Sequence, residues 1–363
     1  MMEKEFYCEL ALQSMQGELL ADELCMQILT ASSGTELLPL LDAAYQVRKK
    51  YFGNEVQLHM INNAQNGYCP EDCHYCSQAN SSDADIEKYT LKSDKEIIDE
   101  AERAYKAGAF RYCMVFAGRG PSKKRVEHLA QLVRDIKALF PIQVCISAGI
   151  IDKEDAQVLK HAGLDRLNHN INTSETNYPN ICTTHTYADR INTLQVAEQV
   201  GIELCSGIIV GMGERTEDLI ELAKTFRELG VSSIPINYLI PFEGNVLSQT
   251  PELDPEYCLR ILALYRLVNP DADIRVAAGR ELHFRSMEVM ALYPANSLFI
   301  DGYLNSKGGN RERVIRMIED AGFVVKTDKD MKDLLPAEGN RQLRVIDNHE
   351  NAIKDINDLR PRL

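Results

Sequence analysis

From about residue 50 the chain repeats one alternation: a short apolar run, then a longer stretch with apolar residues at helical spacing. The runs are VQLHMI (56–61), RYCMVFAG (111–118), IQVCISAG (142–149) and DRLNHNI (165–171), then IELCSGIIVG (202–211), SSIPINYLI (232–240), DIRVAAG (273–279) and NSLFIDGYL (296–304). Continuous apolar strands separated by helices indicate parallel strands covered on both faces. Eight such units in series predict an α/β fold, a closed (β/α)8 TIM barrel whose functional groups gather on the loops after the strands. A doubly wound open sheet is the alternative, because closure is not a property of any one strand.

The intervening helices have readable ends. Ser93 with Glu96 three residues later forms a capping-box pattern, and Gly108 closes the same helix as a C′ residue. TEDLIELAKTFRELG (216–230) also ends on glycine, and 187–201, 255–269 and 310–322 have the same character. Residues 1–50 lack strand signals and read as an N-terminal helical extension that caps or supports a barrel over 51–325. Residues 326–363 carry many charges and no aromatic ring, which predicts a charged C-terminal extension.

Forty Lys and Arg stand against 54 Asp and Glu, a net charge of −14. That balance argues against nucleic acid or an anionic membrane, both of which need a basic face. An anionic small substrate is still admissible, held by a local arginine or a helix N-terminus. No export-type opening and no uninterrupted apolar stretch of ~18 residues is present, so a cytoplasmic chain is expected. The ten cysteines are then metal ligands, reactive thiols or core filler rather than disulfides.

Cys69, Cys73 and Cys76 lie in GYCPEDCHYCSQ (67–78), a C-x3-C-x2-C run with Tyr75 before the last cysteine. It follows the first predicted strand and so falls on the catalytic face of a barrel. Zinc asks for a fourth ligand, and His74 between two of the cysteines does not give a usual zinc spacing. The run resembles the signature of the radical S-adenosylmethionine superfamily. By that resemblance three thiolates hold a [4Fe–4S] cluster whose fourth iron is left for S-adenosylmethionine. Reductive cleavage of that molecule then yields a 5′-deoxyadenosyl radical.

Cys113, Cys145 and Cys205 each sit inside a predicted strand, and Arg275 interrupts an apolar one. A single strand cysteine is ordinarily core, but three on separate strands of one barrel can converge on its interior. A buried arginine needs an anionic partner, either a carboxylate or a thiolate-ligated cluster.

Together with LNHNINTS, ELCSGIIVGMGE, SIPINYL and IRVAAGRE, these motifs resemble the biotin synthase family in order and spacing over roughly residues 40–325. The resemblance implies a homodimeric barrel enzyme that inserts sulfur into dethiobiotin to form biotin. It makes Cys113, Cys145, Cys205 and Arg275 ligands of an auxiliary cluster, [2Fe–2S] in the best-known members, which supplies the sulfur. It assigns Asn170 and Asn237 to dethiobiotin, Asn237 to the ureido ring. Arg190 falls to the carboxylate of S-adenosylmethionine, the Tyr75 main chain to its adenine, and Asn168 and Asn172 to cofactor contacts. Many members carry Asp at the position of Asn172. Taken alone, the three asparagines at period two would also suit a turn-rich strand end, Arg190 a helix surface, and GIIVGMGE (207–214) a nucleotide-approach turn of weak specificity.

Cys182 falls in the loop after the fourth strand, where familiar members carry an aliphatic residue. It is expected close enough to contribute to the auxiliary cluster, which could then be larger than [2Fe–2S]. Cys8 and Cys25 read as core or surface thiols, and Cys258 as part of an outer helix face. An electron donor of the flavodoxin or ferredoxin type is implied. The alternatives are a related radical enzyme of the hydrogenase-cofactor maturase or mutase type, and a non-catalytic iron–sulfur or zinc carrier. The first gives no reason for the deep cysteines with Arg275, and the second none for Asn170, Arg190 and Asn237.

Overall fold

A computed structural model describes residues 2–335. The charged extension beyond residue 335 lies outside the described residues. A large unit, Met1–Lys329, is followed by a second from Asp330, of which one short helix, Met331–Leu334, is described.

Ten strands are present among the described residues: β1 (Glu55–Gln65), β2 (Arg111–Phe116), β3 (Gln143–Ser147), β4 (Arg166–Asn168), β5 (Glu203–Cys205), β6 (Ile208–Val210), β7 (Ser233–Tyr238), β8 (Asp273–Val276), β9 (Ser297–Phe299) and β10 (Val324–Val325). They pair in parallel in the order β1-β2-β3-β4-β5-β7-β8-β9, and β9 returns to β1 through Gln57↔Ser297, Leu58↔Leu298 and His59↔Phe299. The sheet is therefore a closed barrel, and the open-sheet alternative falls. β10, absent from the sequence reading, adds two residues beside the start of β1.

The fifth apolar run divides into β5 and β6, yet the register does not slip. Cys205↔Ser233 and Ile208↔Ile236 keep one offset against β7. Between them lies Pro235, which has no N–H to give the ladder. Gly207 passes so close that a Cβ there would stand 1.9 Å from the Pro235 carbonyl oxygen. β5 and β6 are thus one barrel strand with a missing rung.

The cap predicted at Ser93 forms reciprocally: Ser93 N donates to Glu96 Oε2 at 2.8 Å, and Glu96 N to Ser93 Oγ at 3.3 Å. The N-terminal region folds as helices Met2–Met15, Asp22–Leu29 and Leu37–Phe52. These cover the barrel helix Pro255–Val268, which is consequently buried continuously from Cys258 to Val268. Arg260 of that helix donates to Ile28 O at 3.0 Å, and Ser14 Oγ donates to Leu267 O at 2.7 Å. Cys258 is therefore enclosed between two helical layers rather than on an outer face. Arg48, also buried, donates to Ala295 O and Glu55 O and so ties the extension to the segments entering β9 and β1. No helix among the described residues is long and apolar enough to cross a membrane.

Candidate active site

A cavity of about 360 Å³ opens at the C-terminal ends of the strands and runs into the barrel. Its walls bring together Cys69, Cys73, Tyr75, Cys76, Cys113, Cys145, Asn168, Asn170, Asn172, Arg190, Cys205, Asn237 and Arg275. Residues separated by two hundred positions thus face one space, because each lies within a barrel strand or in the loop or helix that follows one.

At the mouth, the loop after β1 carries Cys69, Cys73 and Cys76. A tight turn, Cys76 N to Cys73 O at 3.0 Å, sets the spacing of the last two. The loop is stapled to the segment after β4: Asp72 accepts from Thr183 N at 3.0 Å, and Glu71 accepts from Thr184 Oγ1 at 2.8 Å. Burial pushes the Cys76 thiol up to about 11. The hydrogen bond to Cys182, then burial, raises Cys73. Metal uptake here must therefore release protons.

Deeper in the barrel, Cys113 and Cys145 are directly opposed in the β2–β3 register, and Asn168 is opposite Cys205 in β4–β5. Asn168 Nδ2 lies 3.2 Å from Cys205 Sγ. The hydrogen bond with Cys145 lowers the Cys113 thiol against the effect of burial, with help from Arg275, Arg111 and Arg166. Arg275 meets both partners that the sequence left open: Asp273 Oδ2 at 3.1 Å and Cys205 Sγ at 3.8 Å. Asp273 also faces Arg166 at 3.5 Å and Arg111 at 3.6 Å. Burial opposes its charge, but Arg275 and its neighbours hold the carboxyl far below the usual carboxylate range. His59 is kept neutral by burial and by repulsion from Arg275 and Arg111.

Buried positive charge exceeds buried negative charge in this ring. Glu203, the further carboxylate on Arg166, is more than half exposed. Arg111 Nε, Arg166 Nη1 and Arg275 Nε have no hydrogen-bond partner. Three buried guanidinium groups sharing one buried carboxylate are costly. Three cysteines beside them fit an anionic, thiolate-held group, while the mouth cysteines fit a cluster with one site left over.

The asparagine row behaves differently from a regular strand face. β4 ends at Asn168, and Asn172 adopts a left-handed conformation with φ of 71°. Asn170 Oδ1 accepts from Gly207 N at 3.1 Å, and Asn172 Nδ2 donates to the Tyr75 hydroxyl at 2.6 Å. The Tyr75 carbonyl accepts from Asn245 Nδ2 at 3.1 Å. Arg190 is fully tethered by its own chain, donating to Asn170 O at 2.7 Å, His185 Nε2 at 2.7 Å and the Tyr178 hydroxyl. Asn237 donates to Ile208 O at 3.0 Å and accepts from Ala278 N at 3.3 Å. In the 207–214 turn only Ile209 lines the cavity. The Gly211 and Met212 N–H groups are taken by Glu214, both at 2.7 Å.

Cys182 is not where the sequence reading put it. Its sulfur lies 3.8 Å from Cys73 Sγ at the mouth, not among Cys113, Cys145 and Cys205. The backbone explains this: Cys182 N bonds Tyr178 O at the end of a short helix, and the next residues bind Asp72. The sequence reading also missed Arg111, Arg166 and Asp273. Each stands two residues before a recognised inward residue, Cys113, Asn168 and Arg275, so period two would have found them.

The Radical SAM superfamily model matches residues 66–226, and the Biotin and Thiamin Synthesis associated domain matches 235–324. The biotin synthase of Magnetococcus marinus is 53% identical over 313 residues, 86% of this chain and 97% of its own. That of Acaryochloris marina is 53% identical over 315 residues, 87% of this chain and 91% of its own. Among solved structures, methylornithine synthase (PylB) superposes with a TM-score of 0.77 at 22% identity, covering 90% of this chain and all of that one. The FeFe-hydrogenase maturase HydG from Carboxydothermus hydrogenoformans gives 0.75 at 17%, covering 89% and 80%. At those identities the structures speak to the fold alone.

Proposed function

The chain belongs to the biotin synthase family of radical S-adenosylmethionine enzymes, and from that premise we infer that it inserts sulfur into dethiobiotin to form biotin. The observation that carries the reading is one cavity holding a three-cysteine loop at its mouth and three cysteines with an arginine at its base. When bound, the [4Fe–4S] cluster with S-adenosylmethionine supplies a hydrogen-abstracting radical, and the auxiliary iron–sulfur cluster supplies the sulfur.

The chain's own part is placement and exclusion. Cys69, Cys73 and Cys76 would hold the first cluster; Cys113, Cys145, Cys205 and Arg275 would hold the second. Asn170 and Asn237 lie along the wall between the two sets, which suits a substrate that must reach both. Asn237 uses one N–H and one lone pair on the backbone, leaving one of each for a cyclic urea. Arg190 would turn toward a carboxylate by giving up one of its present partners. Tyr75 and Asn172, which meet at 2.6 Å, are assigned to the cofactor side of the cavity, whereas Asn168, expected there too, lies beside Cys205 at the deep end. Phe299, against which the Arg275 guanidinium stacks at 5.1 Å, helps keep water from the deep end. A flavodoxin- or ferredoxin-type donor, a homodimer and a cytoplasmic setting complete the reading.

The maturase or mutase alternative shares the barrel and the mouth cysteines but offers no use for the deep set. The test is anaerobic reconstitution of the full chain with iron and sulfide, then assay with S-adenosylmethionine, a reductant and dethiobiotin. Biotin together with dethiobiotin-dependent 5′-deoxyadenosine is the expected result. Deoxyadenosine without biotin would favour the related-enzyme reading, and neither product the carrier.

A further inference from the structure

Cys182 and His185 are left over by the proposed reaction, yet they form the tightest cluster of metal-ligating side chains in the described residues. The ligand atoms of Cys73, Cys182 and His185 all lie within 4.8 Å of one another, and all three residues are buried. Cys73 Sγ and Cys182 Sγ are 3.8 Å apart. Two thiolates on one tetrahedral ion, each at ~2.3 Å, stand ~3.8 Å apart. Cys182 Sγ lies beside the His185 ring, 3.3 Å from Nδ1 and 3.7 Å from Nε2, so the imidazole has to turn for the two to share an ion. Thiolates bound to different irons of a cubane stand farther apart than this.

His185 also has the supporting partner that a ligating imidazole needs. Its Nδ1 lies 2.5 Å from the Glu71 carboxylate. A carboxylate that fixes the far ring nitrogen is the usual support for a metal-bound imidazole. The ring's other nitrogen, Nε2, accepts from Arg190 at 2.7 Å. Asp72 Oδ1, 3.2 Å from Cys182 Sγ, is a nearby further oxygen.

We propose that Cys73, Cys182 and His185 form a mononuclear site for a divalent transition ion, Zn²⁺ or Fe²⁺, in the cluster-free chain. The site borrows one cysteine of the mouth loop, so the ion and the [4Fe–4S] cluster exclude each other. An ion on Nε2 also displaces Arg190 from His185, which links metal occupancy to the residue assigned to S-adenosylmethionine. Binding exchanges thiol protons for the metal and leaves the oxidation state of every atom unchanged.

The test uses the full chain freed of iron under anaerobic conditions and titrated with Co²⁺ as the probe. Expected are a sulfur-to-cobalt charge-transfer band and tetrahedral ligand-field bands. Cys182→Ser and His185→Gln should each bind one equivalent fewer than the parent at the same free Co²⁺, and Glu71→Gln should weaken that equivalent ~10–100-fold. Cys69→Ser, which removes a mouth cysteine outside the site, should keep the equivalent. Preloading with Zn²⁺ should retard [4Fe–4S] assembly in the parent and not in Cys182→Ser. Circular dichroism identifies any variant that fails to fold, and His185→Gln decides if Cys182→Ser does. The proposal is overturned if both variants bind as the parent does, or if Cys69→Ser loses the equivalent and Cys182→Ser keeps it. Iron and sulfide content is read separately, so failure here leaves the proposed reaction standing, and the converse holds.

Discussion

Arg275 bridges a thiol and a carboxylate: its Nη1 is 3.8 Å from Cys205 Sγ, while its Nη2 is 3.1 Å from Asp273 Oδ2. Asp273 is the buried counter-charge for Arg111 and Arg166 as well. Asp273→Asn therefore takes the buried counter-charge from three guanidinium groups at once, of which only Arg166 keeps another carboxylate, Glu203. Removing one partner of a buried ion pair costs ~3–5 kcal/mol, and a loss of that size is expected in the thermal unfolding of the cluster-free variant. Rebuilding the auxiliary cluster should recover part of it, since thiolate-held negative charge faces the same guanidiniums. An unchanged midpoint would mean that the ring is not a stability element.

Gly207→Ala tests the missing rung. The added Cβ would lie 1.9 Å from Pro235 O, a backbone atom that cannot swing aside. β5–β6 must separate locally from β7, at ~1–3 kcal/mol by the measure of overpacked cores. Because Gly207 N donates to Asn170 Oδ1, the substrate wall shifts with it. Denaturant midpoints and dethiobiotin KM should both move, and a variant that changes neither refutes the close approach.

The eight-unit alternation was legible from periodicity, closure was only the outcome that eight units favour, and the roles of Asn170, Arg190 and Asn237 came from the family resemblance rather than from spacing. Strands of continuous apolar residues can only be parallel and covered, and inward positions recur every second residue. Pro235 was visible in SIPINYL, but its effect on the neighbouring strand depends on the register across to Gly207, which a single run does not contain. Cys182 was misplaced for a similar reason. Its loop position was right, but its direction is set by Asp72 binding Thr183 and Thr184, a contact across 111 to 112 positions. The enclosure of Cys258 came from the N-terminal helices, whose docking face cannot be read from the helix they cover.

Asp218 gives a pH-dependent prediction away from the cavity. Burial opposes its charge, but hydrogen bonds from Arg215 and Thr176 outweigh that and draw the carboxyl down to about 2. Arg215 N donates to it at 2.7 Å and Thr176 Oγ1 at 2.9 Å, at the start of the helix Thr216–Glu228. A lowered folded-state value means stability that is present above the unfolded value of ~3.9 and lost as pH falls through the folded one. Asp218→Asn should cost ~1 kcal/mol at neutral pH, the scale of a helix N-terminal cap. The gap to the parent should narrow below pH ~4 and close near 2. A gap independent of pH would assign the loss to packing instead.

Asn237 separates a binding role from a structural one. Its amide spans Ile208 O and Ala278 N, so Asn237→Ala loosens the end of β7 and removes any contact with the urea ring. A neutral hydrogen bond is worth ~1–1.5 kcal/mol, so dethiobiotin KM should rise ~10-fold while S-adenosylmethionine KM stays put. Asn237→Asp keeps the acceptor for Ala278 N but has no N–H to give. If the ring's carbonyl is what Asn237 recognises, the aspartate variant should lose as much affinity as alanine, and its carboxylate, facing the Ile208 carbonyl, should lower the thermal midpoint at least as much. If the ring's N–H is what it recognises, aspartate should bind close to the parent. Equal losses of midpoint in both variants with no change in KM would remove Asn237 from the substrate site.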